Sequence, residues 1–147
     1  EAIHLSTVLE QTKKLGMKAG AQNVSDNNSG AHTGEISPSS LEDLGAEFTL
    51  VGHSERRAIY KEDNKFINKK VRLSLEKGLK VIFCCGETLE ERENGMTEAV
   101  VGRQIEEGLE KVHHAQRQNI IVAYEPVWAI GTGKTASPEQ AEDVHQS

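Results

Sequence analysis

The feature that most constrains the fold is a unit that recurs four times along the chain. Each copy has an amphipathic helix pattern, a helix-ending Gly or Asn, and a short apolar run followed by polar residues. The helix-ending residues are 29, 33 and 41 positions apart, which is the spacing of strand–helix units. Short apolar runs of this kind are typical of strands buried on both faces of a parallel sheet. The repeat therefore predicts an α/β fold, with helix ends at Gly16, Gly45, Gly78 and Asn119 and strands within 17–23, 47–53, 79–85 and 120–125.

Helix periodicity and helix-start signals agree with this repeat. Apolar side chains recur at helical spacing between Leu5 and Leu15, between Ile67 and Leu75, and between Val101 and Val112. A serine before a proline favours a helix start, because the hydroxyl caps the helix and proline suits its first position. Helix starts and capping boxes are predicted at Ser37-Pro38, Ser137-Pro138, Thr88 with Glu91, and Ser137 with Gln140.

Composition bounds the size of the chain and the classes of partner. The 147 residues are 36% hydrophobic and 27% charged and carry a net charge of −6, so we expect one globular domain over residues 1–147. The sequence has no cluster of Lys and Arg of the kind that forms a nucleic-acid surface. It also has no apolar segment long enough to predict a membrane span. Adjacent cysteines rarely bridge each other, so Cys84 and Cys85 are expected to be core residues in a cytoplasmic, reducing compartment.

The length does not choose between two parallel architectures. A (β/α)8 barrel has about 250 residues, so 147 residues hold four to five of its βα units. A smaller doubly wound sheet would also fit this length.

Polar side chains follow the predicted strands where parallel folds bind their ligands. His53 and Glu125 follow two different strands, so both could reach one substrate. A carboxylate there could take a proton from carbon while an imidazole polarises a carbonyl oxygen. The alternatives are a packed or helix-capping role for His53 and a structural ion pair for Glu125, although a buried strand gives a charge little reason to be there.

The glycine-rich stretch 131–136 does not favour a nucleotide site. A P-loop requires glycine where Trp128 stands, and a dinucleotide fingerprint would need an acidic residue beyond Ser147. Two alternatives remain: a mobile lid with Trp128 and Ile130 at its apolar tip, or an ordinary exposed loop.

The segment 26–36 is long and polar for a strand–helix connection, which usually has about 2–6 residues. It is either a surface loop or an interaction finger. No metal site is expected, because the remaining histidines lack the spacing of metal ligands: His4, His32, His113, His114 and His145.

Five segments resemble the triosephosphate isomerase family in order and in spacing. They are AQN at 21–23, GAHTGEIS at 30–37, VGHSERR at 51–57, CCGE at 84–87 and AYEPVWAIGTGKT at 123–135. The last is highly specific to the family, whereas Cys85 stands where an aliphatic residue is more usual. The resemblance implies a (β/α)8 TIM barrel that interconverts dihydroxyacetone phosphate and D-glyceraldehyde 3-phosphate, in glycolysis and gluconeogenesis. It implies no metal and no organic cofactor.

The resemblance also implies the roles of individual residues. Glu125 matches the base that moves the proton, and His53 matches the electrophile that stabilises the enediolate, its imidazole kept neutral by the helix that starts at Ser54. Glu55 matches a carboxylate beside them, and Gly131 a backbone donor to the phosphate. Thr33, Gly34 and Glu35 match the finger that enters the neighbouring subunit of a homodimer. The phosphate-gripping lid matches Pro126, Val127, Trp128, Ala129, Ile130, Gly131, Thr132, Gly133, Lys134, Thr135 and Ala136.

By the same resemblance, this chain is the central part of the barrel. The family's first strand, with an Asn and a Lys, is expected before Glu1, and its last two strands are expected after Ser147. We therefore expect the isolated 147-residue chain to be inactive. A non-enzymatic alternative is a half-barrel fragment that acts only in folding or association.

Overall fold

A four-stranded parallel sheet with flanking helices organises the computed structural model, which describes residues 1–146. The strands are β1 (Gly20–Ala21), β2 (Phe48–Val51), β3 (Lys80–Cys85) and β4 (Ile120–Tyr124). The α-helices are α1 (Leu5–Lys14), α2 (Pro38–Leu44), α3 (Ser54–Ala58), α4 (Asn64–Glu76), α5 (Leu89–Glu93), α6 (Thr97–Gly108) and α7 (Pro138–Gln146). Short 3-10 helices lie at Ala2–His4, His114–Asn119 and Val127–Ala129. The predicted α/β class is confirmed, and the architecture is that of part of a TIM barrel.

The strands are arranged in chain order, and every neighbouring pair is parallel. Val51 lies opposite Phe83, and Cys85 lies opposite Tyr124. All the carboxyl ends therefore meet at one edge of the sheet. The residues that follow β2, β3 and β4 are brought together at that edge.

The core lies between the sheet and the helices that cover it. Val81 and Phe83 of β3 are completely buried, as are Ile67 and Val71 of α4. Leu41 of α2 completes this cluster from the neighbouring helix. The buried thiols of Cys84 and Cys85 confirm the prediction that both residues are part of the interior.

The predicted helix starts are also present. Ser37 accepts a hydrogen bond from the Ser40 N–H at the start of α2. Thr88 and Glu91 form a complete capping box at α5. Ser137 and Gln140 exchange the same pair of bonds at α7. None of the helices in residues 1–146 is both long enough and apolar enough to cross a membrane.

Three details of the predicted elements were wrong. The run 17–23 contributes a strand of only two residues, and α6 ends at Gly108 instead of continuing to Val112. β4 is not buried on both faces, since Ile121 and Val122 are 56% and 48% exposed. The reason for that exposure is position: β4 pairs on only one side among the described strands, so no second neighbour covers it.

Two glycines of α6 give a matched test of the packing. A β-carbon at Gly108 would lie 2.5 Å from the buried Phe83 ring, whereas one at Gly102 would meet nothing within 4 Å. We expect Gly108→Ala to lower the free energy of unfolding by about 1–3 kcal/mol through overpacking. Gly102→Ala should raise it by about 0.5–1 kcal/mol, because alanine is the better helix former. Urea titration of both variants measures the difference, and equal effects would contradict this packing of α6 on β3.

Candidate active site

His53 lies at the junction between β2 and α3, where the chain turns sharply. Gly52 has a φ of +82°, a conformation that side chains with a β-carbon rarely adopt. His53 then acts as the N-cap of α3, and its Nδ1 accepts a hydrogen bond of 3.3 Å from the Glu55 N–H. An imidazole nitrogen that accepts a hydrogen bond carries no proton. The ring proton is therefore on Nε2, which points away from the helix.

Glu125 meets that Nε2 atom from the end of β4. Its Oε1 lies 2.9 Å from His53 Nε2, and its Oε2 accepts a hydrogen bond of 3.0 Å from the Ser54 N–H. The side chains of His53 and Glu125 are 30% and 16% exposed, so most of each is shielded from solvent. The arrangement places a carboxylate and a ring N–H donor side by side at one edge of the sheet.

The backbone at Glu125 is held by close contact with Gly86, which follows β3. The Glu125 N–H donates to the Cys85 carbonyl at 2.7 Å, and a β-carbon on Gly86 would overlap the Glu125 carbonyl oxygen. Gln104 of α6 fixes the Gly86 peptide from the other side. Its Oε1 accepts from the Gly86 N–H at 2.8 Å, and its Nε2 donates to the Gly86 carbonyl at 3.1 Å. Only glycine allows this approach, so Gly86, held by Gln104, fixes the position of the Glu125 backbone.

Arg57 ties the ends of β2 and β3 together beneath the site. Its guanidinium donates to the carbonyl oxygens of Gly52 at 2.7 Å and Cys84 at 3.2 Å, and to Asn64 Oδ1 at 2.6 Å. Burial lowers the pKa of Arg57, and the nearby Glu125 carboxylate opposes that shift. The guanidinium therefore supplies a fixed positive charge near Glu125.

The two thiols beside this site are protonated groups. Burial, reinforced by the Glu125 charge, raises the pKa of Cys84 to about 12. Burial raises the pKa of Cys85 to about 11, although Arg57 opposes the shift. Thiols act as nucleophiles only in the thiolate form. Both residues are accordingly packing residues at neutral pH.

A second carboxylate, Glu87, is completely buried next to the glycine-rich segment. It accepts hydrogen bonds of 3.0 Å from Tyr124 Oη, Trp128 Nε1 and Arg92. Burial, reinforced by the hydrogen bond to Glu87, raises the pKa of Tyr124 to about 12. The sequence places Glu87 two residues after β3 and within the family-like segment 84–87, but it assigns this carboxylate no specific role.

The segment 126–136 is anchored at its start and exposed further along. Trp128 is only 7% exposed, so it is not at an apolar tip, because its indole N–H is bonded to Glu87. Ile130 is exposed, as are Gly131 and the residues up to Thr135. Thr132 stiffens the turn by donating to the Trp128 carbonyl at 2.7 Å. Within residues 1–146, no hydrogen bond joins Gly131 to His53 or Glu125.

Within residues 1–146, neither the Glu55 carboxylate nor the finger makes a hydrogen bond to the His53 or Glu125 side chain. The Glu55 carboxylate is 70% exposed and 3.8 Å from His53 Nδ1, too far for a hydrogen bond, so only its backbone N–H touches the imidazole. Thr33, Gly34 and Glu35 are exposed on the finger. The part of the chain that the structure describes contains no group of three metal-binding side chains.

The sequence profile of the family described as triosephosphate isomerase matches residues 1–147. The chain belongs to the triosephosphate isomerase family. It is 52% identical over 143 residues to the triosephosphate isomerase of Treponema denticola, an overlap that covers 97% of this chain. It is also 50% identical to the Candida albicans isomerase, over 145 residues and 99% of the chain.

These relatives are longer than the chain. The overlap is 57% of the Treponema denticola protein and 58% of the Candida albicans protein. For the isomerase of Clostridium botulinum, 50% identical over 140 residues, it is 56%. The chain therefore spans somewhat more than half the length of the curated family members it matches.

Proposed function

We propose that this chain carries the proton-transfer groups of a triose-phosphate isomerase. The substrates would be dihydroxyacetone phosphate and D-glyceraldehyde 3-phosphate, interconverted without metal or organic cofactor. The observation that carries the proposal is the 2.9 Å contact between His53 Nε2 and Glu125 Oε1 at the ends of two parallel strands. Family membership gives independent support, because relatives about half identical to this chain are named triosephosphate isomerases.

In the proposed reaction, Glu125 acts on a carbon of the substrate and His53 acts on the oxygen of the adjacent carbonyl. Glu125 takes a proton from the carbon next to the carbonyl, and the electron pair of that C–H bond forms the C=C bond of an enediolate. The N–H at His53 Nε2 donates to the oxygen on which negative charge develops. His53 Nε2 gives its proton to that oxygen and takes up the proton of the hydroxyl on the other carbon, and Glu125 returns its proton to the carbon that carried the carbonyl, which completes the isomerisation. A neutral imidazole suits this task, since it donates without adding a positive charge that must later be lost.

Substrate binding would require the two groups to part. In the described arrangement both Glu125 oxygens are engaged, one by His53 and the other by the Ser54 N–H. We propose that closure of the lid, Pro126 to Ala136, carries Glu125 toward the substrate and excludes water. Gly131 would then supply a backbone N–H to the phosphate, and Glu55 would lie beside the reacting groups.

The chain is proposed to work as the central segment of a single TIM-barrel domain. It contributes four strands of a fold that has eight. We expect little turnover from the isolated 147-residue chain, because loss of even one preorganised donor typically costs about 10²–10³ in rate. Activity is therefore best tested in protein that carries this segment within a complete barrel.

Replacement of the proposed base is the sharpest test of the reaction. In a complete barrel with this segment, Glu125→Gln should lower kcat for triose-phosphate interconversion by about 10²–10⁴, because the amide keeps the shape but cannot accept the proton. Exchange of substrate hydrogen with deuterated water should fall in parallel. The control is Glu106→Gln, the same change at an exposed position of α6. Wild-type exchange in the Glu125→Gln protein would assign the proton transfer to another group.

The finger 26–36 supports a proposed homodimer. Its base is closed by the hydrogen bond from the Ser25 N–H to the Ile36 carbonyl at 2.8 Å, and Lys69 bonds Asp26 at 2.8 Å. A rigid base with exposed residues Thr33, Gly34 and Glu35 beyond it suits insertion into a second copy.

Charge reversal on the finger tests this assembly. In the complete protein, Glu35→Arg should raise the dimer dissociation constant at least about tenfold, because a mismatched charge in an interface is costly. Glu106→Arg, on exposed α6, is the matched control. Sedimentation velocity over a concentration series measures both. An unchanged dimer with Glu35→Arg, or equal weakening by both variants, would remove the finger from the interface.

A further inference from the structure

Trp128 is held at two different surfaces of its indole ring. Along the edge, Nε1 donates to the buried Glu87 carboxylate at 3.0 Å. Across the face, the Arg92 guanidinium lies 4.6 Å from the ring centroid. The same guanidinium also donates to Glu87 Oε1 at 3.0 Å. One arginine therefore contacts both the indole and the carboxylate that binds the indole.

This geometry depends on the shape of the arginine side chain. A planar guanidinium can stack on an aromatic face while a peripheral N–H donates to a carboxylate. A lysine ammonium is a compact point charge, so it could pair with Glu87 without covering the ring face. Stacking at a partly buried site changes an equilibrium by a factor of about 2 to 30. Arg92 is 26% exposed as a side chain, so water screens this contact only in part.

Arg92 itself is held by α5, a helix of five residues that contains no buried side chain. The capping box of Thr88 and Glu91 fixes the start of this helix. The link from Arg92 to Glu87 and Trp128 then joins α5 to the 3-10 turn Val127–Ala129. That turn begins two residues after Glu125, so its position bears on the carboxylate at the site.

We propose that Arg92 is a positioning residue that keeps Trp128 seated against Glu87. The seat consists of the Glu87 carboxylate at the indole edge and the Arg92 guanidinium at the indole face. Opening of the seat frees the Val127–Ala129 turn to move relative to Glu125. The contacts that form the seat are present in the described structure. The inference that the seat controls lid motion rests on the proposed function.

The choice of variant follows from the charges. Within residues 1–146, Arg92 is the one cation paired with Glu87, so a neutral replacement would leave a buried carboxylate without a counterion. Arg92→Lys keeps the charge and removes the planar stack. Arg103→Lys, at an exposed position of α6, makes the same change away from the seat.

The indole N–H provides a direct measurement, because Trp128 is the only tryptophan of the 147-residue chain. Its hydrogen–deuterium exchange can be followed by NMR in the unliganded chain under native conditions. We expect Arg92→Lys to accelerate exchange at Trp128 Nε1 by a factor of about 2 to 30, while Arg103→Lys leaves it unchanged. The Phe83 backbone N–H of β3 reports on global unfolding in the same experiment, and its exchange should change much less.

Two results would overturn the proposal. One is an indole exchange rate in Arg92→Lys equal to that in Arg103→Lys. The other is acceleration of the indole and of the Phe83 amide by the same factor, which would indicate global destabilisation without a local seat.

If Arg92→Lys does not fold, the double variant Arg92→Met/Glu87→Gln removes both charges together and is judged by the same comparison. No substrate is used in this measurement, so failure of the seat and failure of the isomerase proposal are separate outcomes.

Discussion

The parallel pairing of β2, β3 and β4 is the constraint on which the site depends. Parallel strands put all their carboxyl ends at one edge, so residues far apart in the chain become neighbours there. His53 and Glu125 are separated by 72 positions, yet a 2.9 Å contact joins their side chains. Arg57 strengthens this edge by bonding carbonyl oxygens that follow or end two different strands. At the N-terminus of α3, the Glu55 N–H donates to Nδ1 of His53, so the ring proton is on Nε2.

The two carboxylates near this edge, Glu125 and Glu87, differ in burial and in their contacts. Glu125 is partly exposed and touches two groups that can release it, which suits a carboxylate that must move. Glu87 is completely buried and accepts from three separate side chains, which suits a carboxylate that must stay. Removal of one partner from such a buried pair typically costs about 3–5 kcal/mol. The proposed base and this buried carboxylate are therefore held by different kinds of contact.

Much of this arrangement could be predicted from the sequence, and the remainder follows from tertiary contacts. The repeat of helix stops and apolar runs predicts the strands and the parallel α/β class, because each unit carries its own local signals, whereas the strand order is known only from the structure. His53 and Glu125 could be singled out because they follow two different predicted strands, at the end where parallel folds bind their ligands. The roles of Gln104 and Arg92 could not be predicted, since Gln104 bonds Gly86 after β3 and Arg92 stacks on Trp128, contacts that only the tertiary structure brings together. The burial of Trp128 was missed for the same reason: its partner Glu87 is 41 positions away.

The ring state of His53 tests the central claim most directly. Nitrogen NMR of the chain labelled at histidine distinguishes protonated from unprotonated ring atoms. We expect the ring proton on Nε2, with Nδ1 resonating as an unprotonated hydrogen-bond acceptor. A proton on Nδ1 would contradict this arrangement, because the Glu55 N–H could not then donate to that atom.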